Sequence, residues 1–402
     1  MESGSGVRIA VITTHPIQYY APLFRCLAKE QGIELKVFYT WSQSQQGANY
    51  DRDFGKTIEW DIPLLDGYSF EFVGNVAKDP GVNHFNGIMN PELNEKVSSW
   101  NPDYLLVMGW NFRSHLAAMR HFKGKIPVLF KGDSTLLDEK PGVKRILRRL
   151  FLKWVYGFAD YALYVGKNNH DYFYRHGMRE RQLYWMPHAV DNNRFHGPDA
   201  YETKAKHWRR ELGIDEDDLV ILFAGKLEPK KDPDFMLRLA GSLPDPGLKL
   251  ILVGNGKLEA ELKVKASQDK RIIFLDFQNQ EKMPVVYRLG DIFVLPSAGP
   301  GESWGLAVNE AMACNRPVIV SSKCGCAPDL VEENATGWIF EPGKNGDLKV
   351  AALLKQVLVQ KSILNPMGRR AWEKLQSYSY VAAIEKIRQF LKDMKLTKRK
   401  VL

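Results

Sequence analysis

The stretch 291–342 constrains the fold more than any other: DIFVLPSAGPGESWGLAVNEAMACNRPVIVSSKCGCAPDLVEENATGWIFEP. It opens on an apolar run, 292–296, that reads as a buried strand. A loop holding Gly301 and Gly305 leads into a run of good helix formers near 306–314. A second β-branched strand follows at 317–322. Strand, glycine loop, helix and strand in that order are the repeating unit of a parallel α/β sheet.

The chemistry of the junction follows from its backbone. Where a strand turns into a helix, free N–H groups and the positive end of the helix dipole point at whatever sits above them, and phosphate is the usual guest. Gly301 and Gly305 let the backbone come close to a ligand. Glu302 falls in the loop and Glu310 lies more than a turn inside the helix. A carboxylate only accepts hydrogen bonds, so both suit partners rich in hydroxyl groups. A diphosphate between two sugar rings meets all of these demands. A surface loop and a solvated helical glutamate form the plainer alternative, and either glutamate alone would fit it.

The pattern E-x7-E followed by A-M-A-x-x-x-P-V-I reads here as Glu302 to Glu310 and then AMACNRPVI. At these residues the chain resembles the retaining glycosyltransferases of family 4, a GT-B family. The resemblance runs over 220–358 and, more weakly, through the N-terminal half. It implies an α/β chain of GT-B type, with two Rossmann-like domains whose parallel sheets face a central cleft. Residues 1–195 would form the acceptor-side domain and 196–377 the nucleotide-sugar donor domain, with a helix at 378–402 packing back on the first. Residues 196–218, polar and charged, read as the linker.

Composition narrows the partners. The chain has 402 residues, 45% hydrophobic and 26% charged, enough for two domains with their own cores. A net charge of +9 favours anionic partners: nucleoside diphosphates or an acidic membrane surface. No nucleic-acid motif is present. Four cysteines make no disulfide framework, and the lone pair Cys324 and Cys326 lacks the further ligands of a metal site. A reducing cytoplasm fits. No apolar run reaches the roughly 18–20 residues of a membrane-spanning helix. The opening MESGSG reads as an artificial addition, not a signal peptide.

In the N-terminal half, 7–13, 35–39, 103–108, 126–131, 160–166 and 183–187 read as strands of a parallel sheet. The loop 15–20 sits at the carboxyl end of the first, where open α/β sheets bind ligands. The family's glycine pair is replaced there by HPIQYY, so His15, Gln18 and Tyr19 are candidates for the acceptor or the donor sugar. Local hydrogen bonding is the other use for His15. Trp110 and Asn111 follow the strand 103–108 and join the same candidates. Asp133 follows 126–131, where the family usually has a histidine facing the transferred sugar. It reads either as a group beside a developing oxocarbenium charge or as a helix N-cap. The segment 144–155, KRILRRLFLKWV, is basic and amphipathic. It suits an anionic membrane surface, or equally a domain helix with a basic outer face. Residues 50–90 read as loops and short strands. Asp51 with Asp53, and Asp232 with Asp234, mimic a metal-binding D-x-D, a spacing that chance supplies often, and metal is not expected at either.

In the C-terminal half, GKLEPKK resembles the family's G-R-L-x-x-x-K-G, with Lys226 in the Arg place, Lys231 in the Lys place and Asp232 where Gly is usual. Two cations aimed at a departing diphosphate stabilise the transition state more than the ground state. Gly254-Asn255-Gly256 lacks the third glycine of a dinucleotide fingerprint, so the glycines are expected to pass near base or phosphate, not NAD. The loop with Phe277 and Gln278 is where the resemblance places the base.

The resulting expectation is a retaining, metal-independent glycosyltransferase without cofactor. The donor would lie on Gly225, Lys226, Lys231, Gly254, Phe277, Gln278, Glu302, Ser303, Trp304, Gly305, Leu306 and Glu310. Glu302, Asp133, Lys231 and Lys226 would carry the chemistry. The donor would be a nucleotide sugar, UDP ahead of GDP, and the acceptor a glycan or lipid-linked glycan in polysaccharide assembly. Peripheral contact with an anionic membrane at the cytoplasmic face completes the reading. A GT-B epimerase and a non-catalytic nucleotide-sugar-binding subunit are the alternatives.

Overall fold

The computed structural model describes residues 6–46, 49–51, 56–58 and 60–401, with the backbone alone at 46, 49–51, 56–58 and 397–401. Asp53 and the first five residues of the opening MESGSG lie outside the described residues.

The chain forms two compact units: one of Met1–Asn49, Ile62–Pro187 and Tyr380–Leu402, the other of Tyr50–Asp61 and His188–Ser379. The strands are β1 (Val7–Thr13), β2 (Ile33–Tyr39), β3 (Asn49–Asp51), β4 (Lys56–Ile58), β5 (Ser69–Phe72), β6 (Tyr104–Met108), β7 (Val128–Lys131), β8 (Tyr161–Tyr164), β9 (Leu183–Trp185), β10 (Leu219–Ala224), β11 (Leu248–Val253), β12 (Ile272–Leu275), β13 (Ile292–Leu295), β14 (Val318–Ser321) and β15 (Gly337–Phe340). The helices are α1 (Ala21–Ala28), α2 (Leu93–Ser99), α3 (Arg113–Phe122), α4 (Val143–Tyr156), α5 (Lys167–Arg175), α6 (Asn192–His196), α7 (Ala200–Glu211), α8 (Asp234–Ser242), α9 (Glu259–Ala266), α10 (Met283–Leu289), α11 (Leu306–Ala313), α12 (Ala327–Leu330), α13 (Lys344–Val359), α14 (Leu364–Leu375) and α15 (Tyr380–Val401).

Unit 1 holds a seven-stranded sheet in the order β5-β2-β1-β6-β7-β8-β9, and unit 2 a six-stranded sheet in the order β12-β11-β10-β13-β14-β15. Every pairing within both sheets is parallel. Both are doubly wound Rossmann-like sheets, so helices cover the two faces and central strands bury both sides. That is why β10 is a continuous apolar run, Leu-Val-Ile-Leu-Phe-Ala, with every residue buried. Each sheet carries its own core: Ile12, Val107, Phe130 and Phe173 belong to the first, Ile221, Phe223, Leu250 and Val294 to the second. Among the described residues no helix is long and apolar enough to cross a membrane.

One reading of the sequence changes. Residues 196–218 are not a linker. They contain α7, whose Glu202 pairs with Arg288 and Arg316 at 3.2 and 2.6 Å and whose Arg209 pairs with Asp291 at 2.8 Å. Ionic anchoring replaces the apolar stripe that would have marked a helix, and only Ala205 of α7 is buried. The C-terminal helix, α15, runs to Val401.

A buried histidine ties unit 1 together. His115 on α3 is fully enclosed, with Nδ1 2.8 Å from the Gly109 carbonyl and Nε2 2.8 Å from Thr40 Oγ1. Burial holds its pKa down at about 4, against 6.5 in a solvated chain, although the Gly109 carbonyl pulls the other way. Between those values the unfolded chain binds the proton and the folded chain does not, so stability falls as pH falls. The expected loss from this residue is about 2 kcal/mol between pH 6.5 and about pH 5, at 1.36 kcal/mol per unit. Denaturant titrations at the two pH values check it, and His115→Gln should show a shallower pH slope.

Candidate functional site

In a doubly wound sheet the loops leaving two neighbouring strands diverge where the strand order reverses, and the crevice they leave is the ligand site. In unit 2 that point lies between β10 and β13. Gly225, Lys226 and Lys231 leave β10, and Ser297–Gly305 leave β13. Lys231 ends a short 3-10 turn, Pro229–Lys231, whose proline presets the backbone. Asp232 then adopts φ 49°, a left-handed conformation that explains why glycine would be at home there. Its carboxylate is held by Arg238 at 3.1 and 2.7 Å. Asp234 pairs with Lys265 at 3.0 Å. Both carboxylates of the Asp-Pro-Asp run are thus occupied by side-chain cations.

At the centre of the crevice, Lys231 Nζ lies 2.5 Å from Glu302 Oε2, and Ser297 Oγ donates to the same oxygen at 2.9 Å. Glu302 is 8% exposed, so this pair sits in a low-dielectric pocket. Ala298 N–H donates to the Lys230 carbonyl at 3.0 Å and joins the two loops. Gly305 at φ 101° is the cap of α11, with no side chain capping the first turn. Leu306 opens the helix, and one turn further Glu310, 3% exposed, accepts from Tyr287 Oη at 2.6 Å through Oε2. Tyr287 is itself fixed between the rings of Phe195 and Phe293 at 5.9 and 5.4 Å.

The loop around Ser303 is built from behind. Gly325 N–H donates to the Glu302 carbonyl and Cys326 N–H to the Trp304 carbonyl, both at 3.0 Å. A Cβ on Gly325 would stand 1.7 Å from the Ser303 carbonyl oxygen. The Trp304 indole is buried, donates to Asn309 Oδ1 at 2.9 Å and packs beside His188 and Tyr378. Its side chain anchors the loop.

The glycines after β11 have a packing role. A Cβ on Gly254 would stand 2.1 Å from the Gly225 carbonyl oxygen, and one on Gly256 2.6 Å from that of Leu227. They let the loop after β11 pack against the loop after β10. Between them, buried Asn255 donates to Glu259 and Asp276 at 2.9 Å each and accepts from Phe277 N–H at 2.9 Å. It shapes the loop of Phe277 and Gln278.

In unit 1 the strand order reverses between β1 and β6. His15, Gln18 and Tyr19 follow β1, and Trp110 and Asn111 follow β6. His15 Nδ1 lies 2.9 Å from Thr14 Oγ1, its ring sits edge-on to Trp41 at 5.4 Å, and burial lowers its pKa to about 4. It is a neutral imidazole. The Tyr19 carbonyl accepts from Tyr380 Oη at 3.0 Å. Asp133 caps no helix: the next one, α4, starts at Val143. The capping alternative therefore falls. Asp133 lies close enough to Tyr20 to raise the phenol's pKa, after burial, the larger cause. Beside it is a residue that sequence reasoning missed. Lys131 is buried, donates to the Met186 carbonyl at 3.2 Å, and is lowered to about 7 by burial, with Asp133 opposing. Its signal was a lysine closing the apolar run IPVLFK at the carboxyl end of a strand. Ser297, Asn255, Tyr287 and Gly325 were missed too, because each acts through a neighbour that only the fold supplies. Among the described residues no cluster of three metal-ligating side chains occurs.

Comparison with known proteins agrees with this architecture. Residues 204–373 match the family described as glycosyl transferases group 1. A D-inositol 3-phosphate glycosyltransferase of Mycobacteroides abscessus is 30% identical over 187 residues, 44% of this chain but only 40% of that protein's length. Among solved structures, Anabaena HepE in complex with UDP-glucose superposes with a TM-score of 0.68 at 18% identity, covering 96% of this chain and 99% of that one. Sucrose-phosphate synthase from Thermosynechococcus elongatus does so with a TM-score of 0.72 at 17% identity, covering 97% and 100%. The whole chain thus shares the GT-B fold, and residues 204–373 carry its likeness to the glycosyl transferases of group 1.

Proposed function

We propose that this chain is a retaining, metal-independent glycosyltransferase of family 4. It takes a sugar from a nucleoside diphosphate donor, UDP-linked first, and passes it to a glycan or lipid-linked glycan in surface-polysaccharide assembly. The observation that carries the reading is the Lys231–Glu302 pair, held at the reversal of strand order, with Glu302 on the loop that leads into the helix of Glu310. The HepE complexes with UDP and UDP-glucose support the choice of nucleotide.

In this reading Glu310, with one oxygen fixed by Tyr287, accepts from the ribose hydroxyls. The first turn of α11 receives the diphosphate. Glu302 accepts from hydroxyls of the donor sugar. An ammonium has three donors, so Lys231 keeps one on Glu302 and turns the others to the diphosphate. Lys226 adds a second cation. Charge grows on the diphosphate as the glycosidic bond breaks, and fixed cations favour that state over the ground state. The acceptor hydroxyl attacks on the same face, and the departing phosphate oxygen takes its proton. In unit 1, Asp133 faces the oxocarbenium charge, and His15, Gln18, Tyr19, Trp110 and Asn111 serve the acceptor or the transferred sugar. A cytoplasmic enzyme working at the inner face of a membrane fits such acceptors.

A thermal-shift panel of UDP, GDP, ADP and dTDP sugars on the wild type and Glu310→Ala tests this. A ligand at about 100 times its Kd should add about 2.7 kcal/mol of stability. The expected result is a shift with UDP sugars that Glu310→Ala loses. No shift with any nucleotide overturns the reading. Product formed from donor alone replaces transfer by epimerisation, and binding without turnover replaces it by a sensor.

A further inference from the structure

A helix on the surface of a soluble unit turns its apolar stripe inward. Helix α4 does the opposite. Val143, Ile146, Leu147, Leu150, Phe151 and Trp154 recur at the three- and four-residue spacing of one helix face, and they are between 44% and 72% exposed. Its other face, with Leu152, Val155 and Tyr156, is buried in unit 1. The helix therefore has two apolar faces, and the larger one looks outward.

Charge says what covers it. At 100° per residue, Lys144 and Lys153 flank the outward stripe on its two sides, and Arg148 lies beyond Lys144. Arg120, from α3, stacks over the Trp154 ring at 5.8 Å and the Phe158 ring at 5.7 Å. Glu139 pairs with Arg149 on the inward side of the helix. We propose that α4 is a docking helix that lays this stripe into an anionic lipid surface, with Lys144 and Lys153 at the headgroups. A second copy of the chain is a poorer occupant, because a two-fold contact would set the flanking cations of one helix against those of the other. At fourteen residues α4 is about 21 Å long, shorter than a bilayer's hydrocarbon core, so it lies in the plane of the interface. The stripe also reaches the candidate site. Phe151 packs edge-on against Trp110 at 5.5 Å, so docking places the carboxyl end of β6 near the lipid, where a lipid-anchored acceptor presents itself. The docking itself rests on α4 alone and stands apart from the transferase reading.

The test is co-sedimentation of the full chain with phosphatidylcholine vesicles, with and without phosphatidylglycerol. Two variants accompany it, Leu147→Glu/Leu150→Glu and Lys144→Glu/Lys153→Glu. All four side chains are exposed, and unchanged melting and circular dichroism verify the fold. Binding to the phosphatidylglycerol vesicles is expected, weakened by salt and by roughly fivefold for each basic charge removed. The Leu147/Leu150 variant should lose it. Equal binding to both vesicles, or none, overturns the proposal. So does a concentration-dependent dimer in light scattering that Leu147→Glu/Leu150→Glu abolishes. Nucleotide-induced stabilisation, read on the same proteins, reports separately on the donor site.

Discussion

Lys231→Met is expected to lower kcat/KM by roughly 10- to 150-fold, the effect of removing one charged contact worth about 1.5–3 kcal/mol from the transition state. It is also expected to cost about 3 kcal/mol of stability. The reason lies in what remains. Glu302 is buried, and the ammonium 2.5 Å away is its charge partner. Without it, one carboxylate stays behind with only the Ser297 hydroxyl on Oε2, and breaking a buried pair from one side is more harmful than replacing both partners. The double variant Lys231→Met/Glu302→Gln should therefore regain most of the stability and none of the activity. Urea melts and steady-state kinetics on the three proteins separate the two effects. An unchanged kcat/KM in the single variant would remove Lys231 from the chemistry.

Gly325→Ala is the second large effect, and it is a matter of space. The added Cβ would stand 1.7 Å from the Ser303 oxygen, 2.6 Å from its carbonyl carbon and 3.2 Å from the Trp304 nitrogen, all main-chain atoms that no rotamer change can move aside. The loop must retreat, and the bonds from Gly325 to Glu302 and from Cys326 to Trp304 lengthen or break. About 3 kcal/mol of stability is the expected loss, at the upper end for overpacking. The more telling readout is the nucleotide-induced shift, expected to fall at least tenfold in apparent affinity because the loop carries Glu302 and the entry to α11. A variant that melts lower yet binds UDP as the wild type does would show that the turn supports only the fold.

The strands were legible because central parallel strands must be apolar on both faces: 219–224 and 292–295 need no context to be read. The glutamates were legible because spacing and backbone punctuation travel together in one stretch. What escaped notice depends on encounters far apart in the chain. Gly254 reads as a ligand-approach glycine, and its packing against the Gly225 carbonyl shows only in the fold. Asp133 followed by Ser134 reads as a cap until no helix starts there. Helix α7 reads as a linker because its partners, Arg288, Asp291 and Arg316, lie more than eighty residues ahead, Arg316 as many as 114 beyond Glu202. Lys131 ends an ordinary strand, and only the Met186 carbonyl and neighbouring Asp133 give its charge a setting.

The placement of α15 has a consequence for how the protein is made. Phe390, on that helix, packs its ring against Tyr104, Tyr161 and Tyr184, on strands β6, β8 and β9 of unit 1. Those strands leave the ribosome long before Phe390 does, because all of His188–Ser379 is translated in between. At 5–20 residues per second the delay is roughly ten to forty seconds. Throughout it, the first sheet has an uncovered apolar flank while the second unit, whose long segment is continuous, already has what it needs to fold. The N-terminal half is thus the last to be finished, and a nascent chain of this protein is most in need of a chaperone at the end where synthesis began.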